Sequence, residues 1–159
     1  MVNSAQQIGN DTVLQWVTFK LGRETYAINV MQIREVLRYN AIAPVPGAPH
    51  YVLGIINLRG SVVTVIDTRT RFGLATGEIT DNTRIVILET ASHTIGVLVD
   101  SVAEVVYLNQ SEIETTPHVG NDENSKYIQG VCNKNGTLLI LIDLDKLLTE
   151  DEWAEMQTM

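Results

Sequence analysis

A chain of 159 residues with a formal charge of −8 is long enough for one ordinary domain or two very small ones. Its 45% apolar content excludes wholesale disorder, and its sequence pI near 4.7 lacks the basic footprint with which nucleic-acid binders neutralise phosphate. Residues 1–99 hold 8 basic and 7 acidic side chains, residues 100–159 hold 3 and 12, so the second part repels anionic lipid as well.

The apolar content is aliphatic and β-branched. Val, Ile and Thr number 18, 15 and 16, against nine aromatic residues. Stiff χ1 angles suit these side chains to pleated, half-buried surfaces, so β structure is expected. Residues 1–11 have neither a basic start nor an apolar run and read as a flexible leader. Val13–Leu21 and Glu24–Val30 flank the turn residue Gly22 and predict a hairpin. Ile33–Arg38 is a further strand. The segment from Ala43 to Pro49 holds three of the four prolines, which removes ladder donors and predicts a loop or sheet edge. Tyr51–Ile56 and Val62–Ile66 are strands around an Asn57-Leu58-Arg59-Gly60 turn. Gly77–Asn82 reads as a linker.

The pattern then restarts. Arg84–Leu88, Thr94–Val99, Val102–Leu108, Tyr127–Val131 and Leu138–Ile142 are strand-like, with a long polar stretch over 109–126. Beyond Asp143 the spacing of Leu144, Leu147 and Leu148 turns helical. Thr149 and Glu152 have capping-box spacing for a C-terminal helix within 149–159.

The restart is an internal repeat. GIINLRGSVVTVIDTRTRF from Gly54 aligns without gaps on GVCNKNGTLLILIDLDKLL from Gly130. Gly54, Asn57, Gly60, Ile66 and Asp67 recur as Gly130, Asn133, Gly136, Ile142 and Asp143. Upstream, Tyr26–Leu37 aligns on Ile95–Val106 and pairs Glu35 with Glu104. Two copies of one small module of about five strands are expected, divided as 12–76 and 83–148. Five short strands tend to close into a barrel, because closure removes exposed edges. Modules of this size need a shared interface, and a cleft there is the expected binding place.

The repeat separates scaffold from function. Asn57, Gly60, Asn133 and Gly136 make sense as turn residues, and Asp67 and Asp143 as helix caps. Arg59 has Asn135 as its counterpart, so the scaffold does not require it. That leaves a long cation at a turn tip, either solvated or available to a partner.

Catalytic chemistry is missing from the sequence. His50, His93 and His118 lack metal-ligand spacing. No phosphate-binding glycine motif or nucleophile elbow is present. Cys132, the one cysteine, takes the repeat position of Ile56 and reads as a small core residue. Asp100 lies in a tight corner and reads as a turn residue. Neither a cofactor nor a metal is expected, and an enzyme is disfavoured.

In this order, YAINVMQIREVLR, the Pro-rich loop and GIINLRGSVVTVIDTRTRFG resemble the CheW-like family of bacterial chemotaxis coupling proteins, over residues ~12–150. The resemblance implies an all-β fold of two tandem five-stranded SH3-like barrels around a hydrophobic groove, plus a short C-terminal helix. It implies a non-catalytic adaptor that joins chemoreceptor cytoplasmic tips to the regulatory domain of the histidine kinase CheA. Such a protein would be cytoplasmic, recruited to membrane-associated receptor arrays without inserting, and free of nucleic acid. The receptor-binding residues carried over are Val30, Ile33, Glu35 and Arg59, with Arg38 following the segment. The kinase-binding residues carried over are Ile42, Val45, Leu53 and Gly54. Plain core packing competes as a reading of Val30 and Ile33, and a module-wide role competes for Glu35 because Glu104 repeats it. Two alternatives stand beside the adaptor: coupling in a type IV pilus-type chemosensory pathway, and a small-ligand-binding β-barrel.

Overall fold

The computed structural model describes residues 12–75, 77–115 and 126–157. The expected leader, His118 and much of the polar stretch lie outside these residues. In chain order the strands are β1 (Val13–Leu21), β2 (Glu24–Asn29), β3 (Ile33–Arg38), β4 (Val52–Leu58), β5 (Ser61–Ile66), β6 (Arg84–Glu89), β7 (Thr94–Val99), β8 (Ser101–Asn109), β9 (Ile128–Lys134) and β10 (Thr137–Ile142). The helices are α1 (Thr68–Arg71) and α2 (Glu150–Gln157).

The strands form two five-stranded sheets, ordered β8-β1-β2-β10-β9 and β3-β6-β7-β5-β4. The sheets do not follow the halves of the repeat. The second, here the central barrel, is contiguous over Ile33–Val99. The first, the terminal barrel, draws β1 and β2 from the start of the chain and β8, β9 and β10 from the end. The expected boundaries at 12–76 and 83–148 therefore cut across both sheets. The cause is local. Between β2 and β3 lies only a 3-10 turn, Val30–Gln32, whose first amides are tied by the Asn29 side chain accepting from Met31 N–H. That turn redirects the chain instead of folding it into a hairpin. Between β7 and β8 lies only Asp100. The copies thus exchange strands, and each sheet keeps the same order when repeat equivalents are matched.

Each sheet closes through the segment after its edge strand. Ala43 exchanges two backbone hydrogen bonds of 2.9 Å with Ile55 on β4, and Glu114 exchanges two of 2.8 Å with Val131 on β9. The repeated glycines permit this approach. A Cβ on Gly54 would stand 2.2 Å from the Ala43 carbonyl oxygen, and one on Gly130 2.8 Å from that of Glu114. Both barrels also carry a two-residue turn with positive φ at both positions: Arg59 and Gly60 (51° and 89°) and Asn135 and Gly136 (53° and 85°). Such turns match the strand twist. Gly60 N–H donates to Asn57 Oδ1 at 2.8 Å.

Among the described residues three apolar clusters result. Trp16, Ala27, Leu108, Cys132, Leu139 and Leu141 fill the terminal barrel; burial pushes the Cys132 thiol up, which makes it a poor nucleophile. Ile56, Val63, Val65, Ile85 and Ile87 fill the central barrel. The largest cluster lies between the barrels and joins Phe19, Tyr26 and Ile142 of one to Val86, Ile95 and Val97 of the other. Aromatic rings cross the seam in sequence: Tyr26 to Phe72 at 4.9 Å, then Phe72 to Tyr127 at 4.3 Å. Polar groups clasp the second crossover. Asp100 accepts from Gly22 N–H at 2.8 Å and from Arg69 Nη2 at 2.5 Å, so it links the β1–β2 turn to α1.

The helix α2 is fastened across the seam. Thr149 N–H donates to Glu152 Oε1 at 2.8 Å and Glu152 N–H to Thr149 Oγ1 at 3.1 Å, a complete capping box. Arg71 Nη1 donates to Glu152 Oε2 at 2.6 Å. Tyr51 Oη donates to Glu155 Oε1 at 2.9 Å. Trp153 is buried and stacks on His93 at 4.1 Å. Burial alone would raise the Glu152 carboxyl, but the Thr149 amide and the Arg71 guanidinium outweigh it and hold the group below the ordinary carboxylate range. The folded carboxyl thus keeps its charge where the unfolded one takes a proton. Its contribution is full above the unfolded value of ~4.3 and is lost as pH falls through the lower folded value. Glu152→Gln is expected to lower the urea midpoint at pH 7, and the gap to wild type should narrow steadily as pH falls below the unfolded value. A gap of constant size between pH 7 and pH 3 counts against this role.

Candidate protein-docking surface

The repeat offers a control for each surface feature, because a residue needed only by the module should occur in both barrels. On β3, Glu35 and Leu37 turn towards the central barrel, while Arg34, Val36 and Arg38 are exposed. Glu35 lies beside the tip of the β4–β5 turn. Arg59 Nη1 donates to Glu35 Oε1 at 3.2 Å, and Nη2 donates to Oε2. This two-pronged pair spans the barrel mouth between β3 and the hairpin. The hydrogen bonds from Arg59 hold the Glu35 carboxyl below its usual range. The side chains are 63% and 26% exposed for Arg59 and Glu35, so water screens the pair and its stabilising effect is small. In the terminal barrel the equivalents are Glu104 and Asn135, and no such bridge is possible. An open groove of about 490 Å³ lies there instead, lined by Glu104, Val105, Tyr107 and Asn135 among others.

The structure thus brings Glu35 and Arg59 together, although 24 residues separate them in sequence. It places Val30 and Ile33 apart from that pair, at the first crossover. Both are half-buried, and Ile33 packs on the inter-barrel core. Sequence reasoning missed Met31. It lies between them on the 3-10 turn and is 84% exposed. Its only signal was an apolar residue in a segment too short to bury it. Arg34, next to Ile33, pairs with Glu89 at 3.5 Å. Of the other four residues singled out, Ile42 and Leu53 pack against the central-barrel interior. Gly54 is buried at the closure point. Val45 is half-buried on the Pro-rich loop, between exposed Pro44 and Pro46.

The groove expected along the seam is mostly closed, because the inter-barrel cluster fills it. Open space remains at one margin, a cleft of about 430 Å³ lined by Gln32, Glu89, His93, Leu148 and Trp153 among others. The side chains that distinguish the two barrels, Glu35 and Arg59 among them, lie on outer faces. Among the described residues no group of His, Cys, Asp and Glu could hold a metal ion, and no helix is long and apolar enough to cross a membrane.

Two packed barrels whose distinguishing side chains lie on outer faces define a protein-binding scaffold. The chain belongs to the CheW-like domain family, whose model matches residues 15–152. It is 31% identical over 152 residues to the chemotaxis protein CheW of Rhizobium meliloti, covering 96% of this chain and 97% of that one. It is 34% identical over 154 residues to that of Treponema pallidum, covering 94% and 91%. Among solved structures it is similar to the scaffolding protein TtCheW of Thermoanaerobacter tengcongensis. That match has a TM-score of 0.81 and 30% identity, over 89% of this chain and 96% of the other. The chain is accordingly a non-catalytic coupling adaptor of chemotaxis, in a family that links chemoreceptors with the kinase CheA.

Proposed function

We propose that the β3 margin of the central barrel receives the chemoreceptor tip, and that the Pro-rich loop of the same barrel meets the regulatory domain of CheA. The single observation that carries the receptor assignment is the Glu35–Arg59 bridge. It occurs in one copy of the module only, and Met31, Val36 and Arg34 lie along the same strand and turn. A helical hairpin docks through apolar anchors, while opposite charges at the rim set its register. Val30 and Ile33 hold the turn that presents Met31. For the kinase, half-buried Val45 between the exposed Pro44 and Pro46 is the contact, and Ile42, Leu53 and Gly54 support the loop from behind. Proline fixes φ, so little ordering entropy is lost when such a loop binds. With both partners engaged, the adaptor holds kinase and receptor at high effective concentration. By this route it is recruited to membrane-associated receptor arrays.

The test uses a receptor hairpin-tip fragment in co-sedimentation with CheA. Arg59→Glu is expected to reduce receptor binding at least tenfold, with a melting temperature within a few degrees of wild type, because the pair is exposed. A combined E35R and R59E exchange rebuilds the bridge with reversed polarity. Binding should stay lost if the charges read the receptor. Unchanged binding by Arg59→Glu alone would falsify the assignment.

A further inference from the structure

Beyond the Glu35–Arg59 bridge, β3 ends in a second ionic feature. Arg38 lies directly opposite Arg84 in the β3–β6 register. Like charges facing each other across strands are destabilising, so an uncompensated pair calls for an explanation. The Arg38 guanidinium has no hydrogen bond or ion pair among the described residues. The Arg84 guanidinium is fixed by carbonyl oxygens alone: its Nη1 donates to Asp81 O at 2.8 Å and to Thr83 O at 2.9 Å. Those bonds aim the head group but leave its charge unneutralised, with Nε and Nη2 still able to donate. Asp81 lines the same cleft, yet its carboxylate forms no ion pair with either arginine. The cleft has a volume of about 310 Å³ and includes Tyr39 and Ile79, which are 38% and 49% exposed.

The repeat supplies the control. The positions equivalent to Arg38 and Arg84 are Tyr107 and Gln15, which face each other in the β1–β8 register. The same module closes there with a neutral pair, so the fold does not require two cations. The feature also opposes the trend of the chain, whose net charge is −8.

We propose that Arg38 and Arg84 form a carboxylate-binding site for an acidic side chain of a docked protein partner. Two guanidiniums facing one cleft match a carboxylate through paired N–H···O bonds, and the exposed Tyr39 and Ile79 give the acidic residue's apolar neighbours a place to rest. The partner's identity rests on the reading above: the site continues the β3 margin given to the receptor tip, and it adds that the tip carries an acidic residue beyond its apolar anchors.

The experiment reads the arginine Nε–Hε resonances of the full chain by NMR while hexaglutamate is added. Saturable shifts at Arg38 and Arg84 are expected. They should weaken at least tenfold between 50 and 300 mM NaCl and be absent with hexaglutamine. In the combined R38Q and R84Q variant, the backbone spectrum should show no saturable response around the cleft. No saturable shift in wild type overturns the site. Equal shifts from inorganic phosphate at the same concentration overturn its assignment to a protein carboxylate. A second arm titrates the receptor hairpin fragment. At least tenfold weaker binding by the double variant supports the docking role, and unchanged binding refutes it. If wild type does not bind the fragment at all, the receptor reading fails, and the hexaglutamate arm alone decides the arginine site.

Discussion

Gly54→Ala is expected to lower stability by about 3 kcal/mol or more, although it adds one methyl group. A Cβ there meets backbone, not a movable side chain: the Ala43 carbonyl oxygen at 2.2 Å and its carbon at 2.8 Å. Overpacking costs of about 1–3 kcal/mol are typical where side chains can shift. Here the two Ala43–Ile55 hydrogen bonds that shut the barrel must give way. Gly130→Ala, with its nearest contact at 2.8 Å, should cost less. Gly60→Ala has nothing within 4 Å, but its φ of 89° costs an L-residue about 1–2 kcal/mol. Urea unfolding of the three variants should rank them 54, 130, 60 by loss of midpoint. If Gly60→Ala proves the worst, steric closure is not the reason for the repeated glycines.

The second large effect is expected at Trp153, where truncation to Ala should cost about 3–5 kcal/mol. The indole is 7% exposed, belongs to the inter-barrel cluster and stacks on His93. Its loss leaves a hole that no neighbour on the short α2 can fill, and it removes the apolar anchor that offsets the ordering of that helix. Trp153→Phe should recover more than half of the loss. Both variants can be followed by thermal melting, with far-ultraviolet circular dichroism reporting the remaining sheets. A Trp153→Ala protein that melts with wild type would show that α2 is peripheral.

The strand positions are legible in the sequence because turn residues bracket each β-branched run. The two-barrel plan is legible because Gly54, Asn57, Gly60 and Asp67 recur as a set. The exchange of strands is not. A repeat shows which positions are equivalent, whereas pairing depends on whether the chain turns back at Asn29 and Asp100, and links of three residues and of one carry little signal. Glu35 and Arg59 are recognisable one at a time, but their contact needs the β3–hairpin geometry. Arg38 and Arg84 become one feature only through the β3–β6 register. Asp100 reads as a turn residue in one dimension and proves to gather groups from both barrels in three. The seam, expected to be a groove, is filled because the aromatic residues meet there from distant segments.

The nesting of one barrel within the other also sets an order of events during synthesis. The five strands of the central barrel are consecutive, so they can pair once residue 99 has left the ribosome. The β1–β2 hairpin emerges first, yet it must wait for β8 and β10 to cover its flanks. In that interval the side of the hairpin that fills the terminal barrel, with Trp16 and Ala27, lacks the late strands that cover it and is open to chaperones or to other nascent chains. The hazard in making this protein therefore falls on its earliest strands and lasts until its latest ones arrive.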